Sequence, residues 1–271
     1  MTCRAFIHFL LLLSQVPTGW SAEPTSDENH RFLESLANNT EITRSLRTNT
    51  NLKKSEDQGR FKTAIAKDAA LRAWTQKGLD LKGLFAGDAG VTEGYSVGEH
   101  TRRALDTFSE QEKFYRLEKT AVKGGRHDTK TFMRHALALH DIGKSLAVRA
   151  GNKKWQHEFT SPILKTSLQA LKFSTGEIKL AAALIEHDII GEMLKGEIST
   201  LQAVDKMRIQ AKTAELPLPE FLNLQTLYFV SDAGAYPYLR EKVFVSENGK
   251  LVPSNPKFVE FRNLLLGVSA P

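Results

Sequence analysis

The chain has 271 residues, 41% hydrophobic and 25% charged, with 37 basic against 31 acidic side chains and a net charge of +6. This is ample material for the core of a soluble, enzyme-sized protein, and no fixed-period repeat or low-complexity tract is evident. The basic excess fits attraction to small anionic substrates but does not by itself establish nucleic-acid binding.

The N-terminus differs sharply from the rest. Met1 to Arg4 is short and basic, Ala5 to Val16 is nearly all apolar, and Pro17 to Ala22 supplies small residues. This pattern predicts a secretory signal peptide over residues 1–22 and a secreted or periplasmic location. The apolar run is shorter than the roughly twenty residues a membrane span requires. The only cysteine, Cys3, lies in this segment. A mature chain would then have no thiol, which excludes a disulfide framework, thiol catalysis and a cysteine-ligated zinc site.

Residues 23–92 read as an N-terminal region. A polar arm runs to about Gly59, loosely ordered, and is followed by a helix over Phe61–Leu84. Residues 93–240 form the helical core of the prediction. Ser96-Val97-Gly98-Glu99 has the form of a capping box, and the helix it opens carries Val97, His100, Ala104 and Phe108 on one face. A second helix over Thr129–Lys144 aligns Met133, Ala136, Leu137 and His140, with Asp141 four residues beyond Leu137. Ser174-Thr175-Gly176-Glu177 repeats the capping pattern ahead of Leu180, Ala183, Leu184 and His187. A further stripe joins Phe221, Leu224, Gln225, Tyr228 and Asp232.

Each of these four helices thus places a metal-capable residue on an apolar face. Unpaired charges in a core cost several kcal/mol each, and a shared cation is the simplest compensation. Lys144 directly follows the His-Asp pair, and Arg103 lies three residues from His100 on the same flank. Both suit contacts to phosphate. Lys154 belongs to a basic stretch, Arg149 to Trp155, expected to form a loop near the site entrance with Trp155 as a stacking face. His127 and His135 are expected to be structural or surface residues. Asp188 receives no role. Residues 241–271 predict a β-hairpin around Glu247-Asn248-Gly249 and a closing helix over Pro256–Leu266.

The series His100, His140-Asp141, Asp232 resembles the His…His-Asp…Asp signature of the HD superfamily of metal-dependent phosphohydrolases, over about Tyr95 to Tyr238. The resemblance implies an all-α, HD-domain helical bundle in which these four residues bind a divalent metal (Mn, Fe, Co, Ni, Mg or Zn). Binuclear members have further histidine ligands in the interval where His157 and His187 lie, which implies one or two ions. His140 to Lys144 also resembles the start of the HD-GYP subfamily. The paired histidine and Gly-Tyr-Pro element of that subfamily are replaced here by Ile185-Glu186-His187-Asp188-Ile189-Ile190-Gly191, which speaks against cyclic dinucleotide specificity. The Glu-Asp pair of guanosine tetraphosphate hydrolases has no clear counterpart.

The expected activity is hydrolysis of a phosphoester or phosphodiester in a nucleotide or similar small anionic substrate. Asp141 and Lys144 are placed in the chemistry, and Arg103, Lys144 and Lys154 in substrate binding. Two other readings belong to different classes. One is a di-iron oxygenase acting on a small polyol or phosphonate through His100, His140, Asp141, His157, His187 and Asp232. The other is a non-catalytic secreted binding module.

Overall fold

Short side chains with a free oxygen stand one position ahead of the apolar runs and start the helices that build the core. Ser96, Asp128, Ser174 and Ser199 each accept a hydrogen bond from a backbone N–H in the first turn that follows. A computed structural model describes residues 75–76, 79–120, 122–149 and 153–267. The predicted signal peptide, the polar arm and most of the helix expected over Phe61–Leu84 lie outside these residues.

The part of that expected helix that is described begins differently. Thr75–Gln76 (β1) and Leu79–Asp80 (β2) pair antiparallel, and only then does a helix run, Leu81–Ala86 (α1).

The described chain is mostly helical. It continues through Val97–Gln111 (α2), Thr129–Leu139 (α3), Lys144–Arg149 (α4), Gln156–Ala170 (α5) and Thr175–Ile185 (α6). Ile189–Lys195 (α7), Thr200–Thr213 (α8), Leu218–Ala233 (α9) and Pro237–Val243 (α10) follow. Phe244–Glu247 (β3) pairs antiparallel with Lys250–Pro253 (β4), and Pro256–Leu266 (α11) closes the described chain. Among the described residues no helix is long and apolar enough to cross a membrane.

The α9 helix lies at the centre, packed along α2 and also against α8, α6 and α3. It is buried beyond the stripe read from sequence: Leu222, Leu227, Phe229 and Val230 are covered along with Phe221, Leu224 and Tyr228. Such a helix has no broad solvent face, as expected for an element enclosed by others. The hairpin is reversed by Asn248 and Gly249, both at positive φ, the backbone that Asn-Gly supplies cheaply in a two-residue turn. Gln111 at the end of α2 docks it, donating from Nε2 to the Gly249 carbonyl at 3.1 Å and accepting from the Leu251 N–H at 2.7 Å.

The helix expected over Thr129–Lys144 stops at Leu139. Four-residue turns follow, with Ile142 N–H to Leu139 O at 3.2 Å and Lys144 N–H to Asp141 O at 2.9 Å, before α4 starts. The turn packs closely at Gly143. Its N–H donates to Thr160 Oγ1 at 3.1 Å, and a Cβ there would meet the backbone N of Thr160 and lie 2.7 Å from the carbonyl carbon of Phe159. Gly143→Ala should therefore force α5 away from the turn and cost about 1–3 kcal/mol, read as a lower midpoint in urea unfolding.

Glu177 makes a second tie between distant segments. Its buried carboxylate accepts from the N–H groups of Ser174 at 2.6 Å, His127 at 2.9 Å and Arg126 at 3.2 Å, and lies 3.1 Å from His127 Nδ1. Burial opposes its charge, but these donors outweigh burial and hold its pKa below the ordinary value of 4.5. A depressed carboxylate pKa contributes stability that is complete above the ordinary value and is lost as pH falls through the folded one. Glu177→Gln should lower stability at neutral pH by about 1–3 kcal/mol and flatten its decline on acidification below pH 4.5, as followed by thermal melts across pH.

Candidate metal centre

The α3 helix ends at Leu139, and His140 and Asp141 stand at the start of the turn that follows, each with a donor atom in the same small group. From α2 comes His100, one turn past the Ser96 cap, and from the last turn of α9 comes Asp232. One donor atom from each of the four residues lies within 4.8 Å of the others, and His100, His140 and Asp141 are buried.

The separations are mutually consistent. His100 Nε2 lies 2.7 Å from Asp232 Oδ1, 3.2 Å from His140 Nε2 and 3.4 Å from Asp141 Oδ2. His140 Nε2 lies 3.4 Å from Asp232 Oδ1 and 3.6 Å from Asp141 Oδ2. A divalent ion with bonds of about 2.0–2.2 Å spaces neighbouring nitrogen and oxygen donors about 3.0–3.5 Å apart; the 3.2 and 3.4 Å separations lie in that range and the 2.7 Å His100–Asp232 pair is at hydrogen-bond distance, so the group could hold an ion once that pair opens. His140 Nδ1 sits 2.6 Å from the Leu137 carbonyl, an acceptor for its proton, so a neutral His140 ring would keep its lone pair on the inward Nε2. Histidine with carboxylate is a donor chemistry shared by several first-row ions, so the group could hold a metal without specifying which.

Electrostatics bind the cluster tightly. Burial opposes a charge on His140, yet Asp141 and Asp232 prevail and push it up to about 8. Burial instead dominates at His100 and lowers its pKa. Burial resists the negative charge of Asp141, but Lys144 and the two histidines hold its carboxyl below the usual range, and against the same burial His100 and His140 do likewise for Asp232. Lys144 donates to Asp141 Oδ2 at 2.7 Å. Despite burial, Asp141 and Asp232 raise its pKa, so the ammonium stays charged.

The other expected site residues fall into distinct places. His157, in the first turn of α5, and His187, between α6 and α7, are half-buried and stand outside the close group of four. Burial depresses the His157 pKa, while Asp141 opposes and His187 adds to the shift, so the three share one electrostatic neighbourhood. Arg103 is turned to Glu99, with Nη2 3.5 Å from Oε1, and its guanidinium lies 4.5 Å from the Tyr95 ring centroid. Lys154 is exposed on the short 3₁₀ turn Lys153–Trp155 ahead of α5. His127 and His135 flank Phe173 at 3.9 and 5.1 Å between ring centroids, well outside the metal-capable group, in keeping with structural roles.

Several residues near the centre were given no functional role from the sequence. Tyr236, two residues past the end of α9 and its cap Gly234, stacks on His100 at 4.5 Å and 22°, and on Tyr95 at 6.2 Å. Tyr228 meets His140 edge-on at 6.1 Å. Asp188 caps α7 by accepting from the Gly191 N–H at 2.9 Å, and burial pushes its carboxyl up to about 6. Gln156 donates to Asp141 Oδ1 at 2.5 Å. Its position directly before His157 at a helix start was the one cue available. Comparison of the chain with protein-family models, curated proteins and solved structures gave no match in any of the three.

Proposed function

We propose that this protein is an HD-type, metal-dependent phosphohydrolase that cleaves a small phosphoester or phosphodiester, a nucleotide being the favoured class. The observation that carries the reading is the convergence of four donor atoms from two histidines and two aspartates within 4.8 Å in the core. His100, His140, Asp141 and Asp232 would hold the ion. A divalent ion so held polarises a phosphoryl oxygen and lowers the pKa of a bound water enough to give a nucleophile near neutral pH.

The protein's own groups supply the remainder. The Leu137 carbonyl fixes the tautomer of a neutral His140 ring, and Tyr236 covers the face of His100, so neither ring is free to turn away. The charged Lys144 ammonium, 2.7 Å from Asp141, is placed to balance negative charge on a phosphoryl group entering the site. Among the described residues His157 Nδ1 is buried without a hydrogen-bond partner, which supports a place for His157, with His187 beside it electrostatically, at a second ion or a reacting proton.

Metal analysis of the purified protein, paired with a panel of nucleotides and generic phosphoesters, tests the proposal. Expected are one or two divalent ions per chain and phosphate or nucleotide release. Asp141→Ala should lower metal affinity and turnover by more than about 100-fold, the upper range for loss of even an indirect partner of a metal ligand. Absence of bound metal from a folded wild-type chain would sink the proposal, and bound iron without hydrolysis would favour oxygen chemistry instead.

A further inference from the structure

Helix α5 touches the His-Asp turn at two points four residues apart, hence on one helical face. Gln156 Nε2 donates to Asp141 Oδ1 at 2.5 Å, and Thr160 Oγ1 accepts from the Gly143 N–H at 3.1 Å. The start of α5 is itself anchored, because Lys153 Nζ donates to the Gly90 carbonyl just ahead of Gln156. Thr160 is wholly buried, so the distance between this face and the turn has little freedom.

The two oxygens of Asp141 are thereby given different tasks. Oδ1 receives the Gln156 amide, whereas Oδ2 faces the imidazoles at 3.4 and 3.6 Å and receives Lys144. An aspartate without the first contact could rotate about its Cβ–Cγ bond, a broad and nearly two-fold torsion, and offer either oxygen or both. We infer that Gln156 is a positioning residue that locks Asp141 so that Oδ2 alone faces His100 and His140. This inference rests on the metal-centre reading and extends it to a residue outside the ligand set. Gln156 acts through Asp141, since a neutral amide that is donating to a carboxylate adds no charge of its own to the centre.

The test uses the full chain, stripped of metal and titrated calorimetrically with Mn²⁺ and with Zn²⁺, for wild type, Gln156→Met and Gln156→Leu. Both variants keep the apolar stem and remove the donor, and circular dichroism and a thermal melt verify the fold of each. The inference predicts binding weakened about 10- to 100-fold in both variants with an unchanged spectrum. If wild type binds and both variants bind within twofold of it, even with a lower melting temperature, Gln156 merely starts α5 and the inference is overturned while the metal centre stands. If wild type binds neither ion, the metal-centre reading fails and takes the inference with it.

Discussion

Setting two carboxylates, that of Asp141 fully buried, against two buried imidazoles is the constraint on which the rest of the arrangement depends. Like charges so close are tolerable only if compensated, and the compensation is local: a charged lysine from α4, an amide from α5 and shared protons on the histidines. Supplying those groups requires α2, the His-Asp turn, α4, α5 and α9 to meet at one point. The apolar packing of α9 along α2 then sets the distance between His100 and Asp232, residues 132 apart in sequence and 2.7 Å apart in space.

The break in the third predicted helix belongs to the same constraint. A continuous helix would carry the regular hydrogen-bond ladder past His140 and Asp141. The chain exchanges that regularity for four-residue turns and a glycine with no room for a side chain, stabilised by Thr160. Local regularity yields at the one place where two neighbouring side chains must cooperate, which is where departures from simple periodicity are expected.

Features with a local cause were legible in the sequence. The capping box at Ser174 and Glu177 forms in both directions, Asn248-Gly249 turns the hairpin, and the last helix spans Pro256–Leu266 as expected. The inward stripes carrying His100 and Asp232 were readable because apolar neighbours at helical spacing marked them. What the sequence hid was non-local. Whether Arg103 reaches the centre or stacks on Tyr95 is decided by a tyrosine outside its own helix, and the Gln156 contact depends on how α5 seats against a turn fifteen residues away. The ending of α3 was missed because periodicity registers which face is apolar, not where the hydrogen-bond ladder stops.

The seating of Tyr236 on His100 gives the centre a direction. With that face covered and with His100, His140 and Asp141 buried, Asp232 is the member that keeps real contact with water, its side chain 29% exposed. Of the four residues, solvent therefore has its most direct contact with Asp232, in the last turn of α9. On the proposed hydrolase reading, the side chains around Asp232 would be the first that a substrate meets.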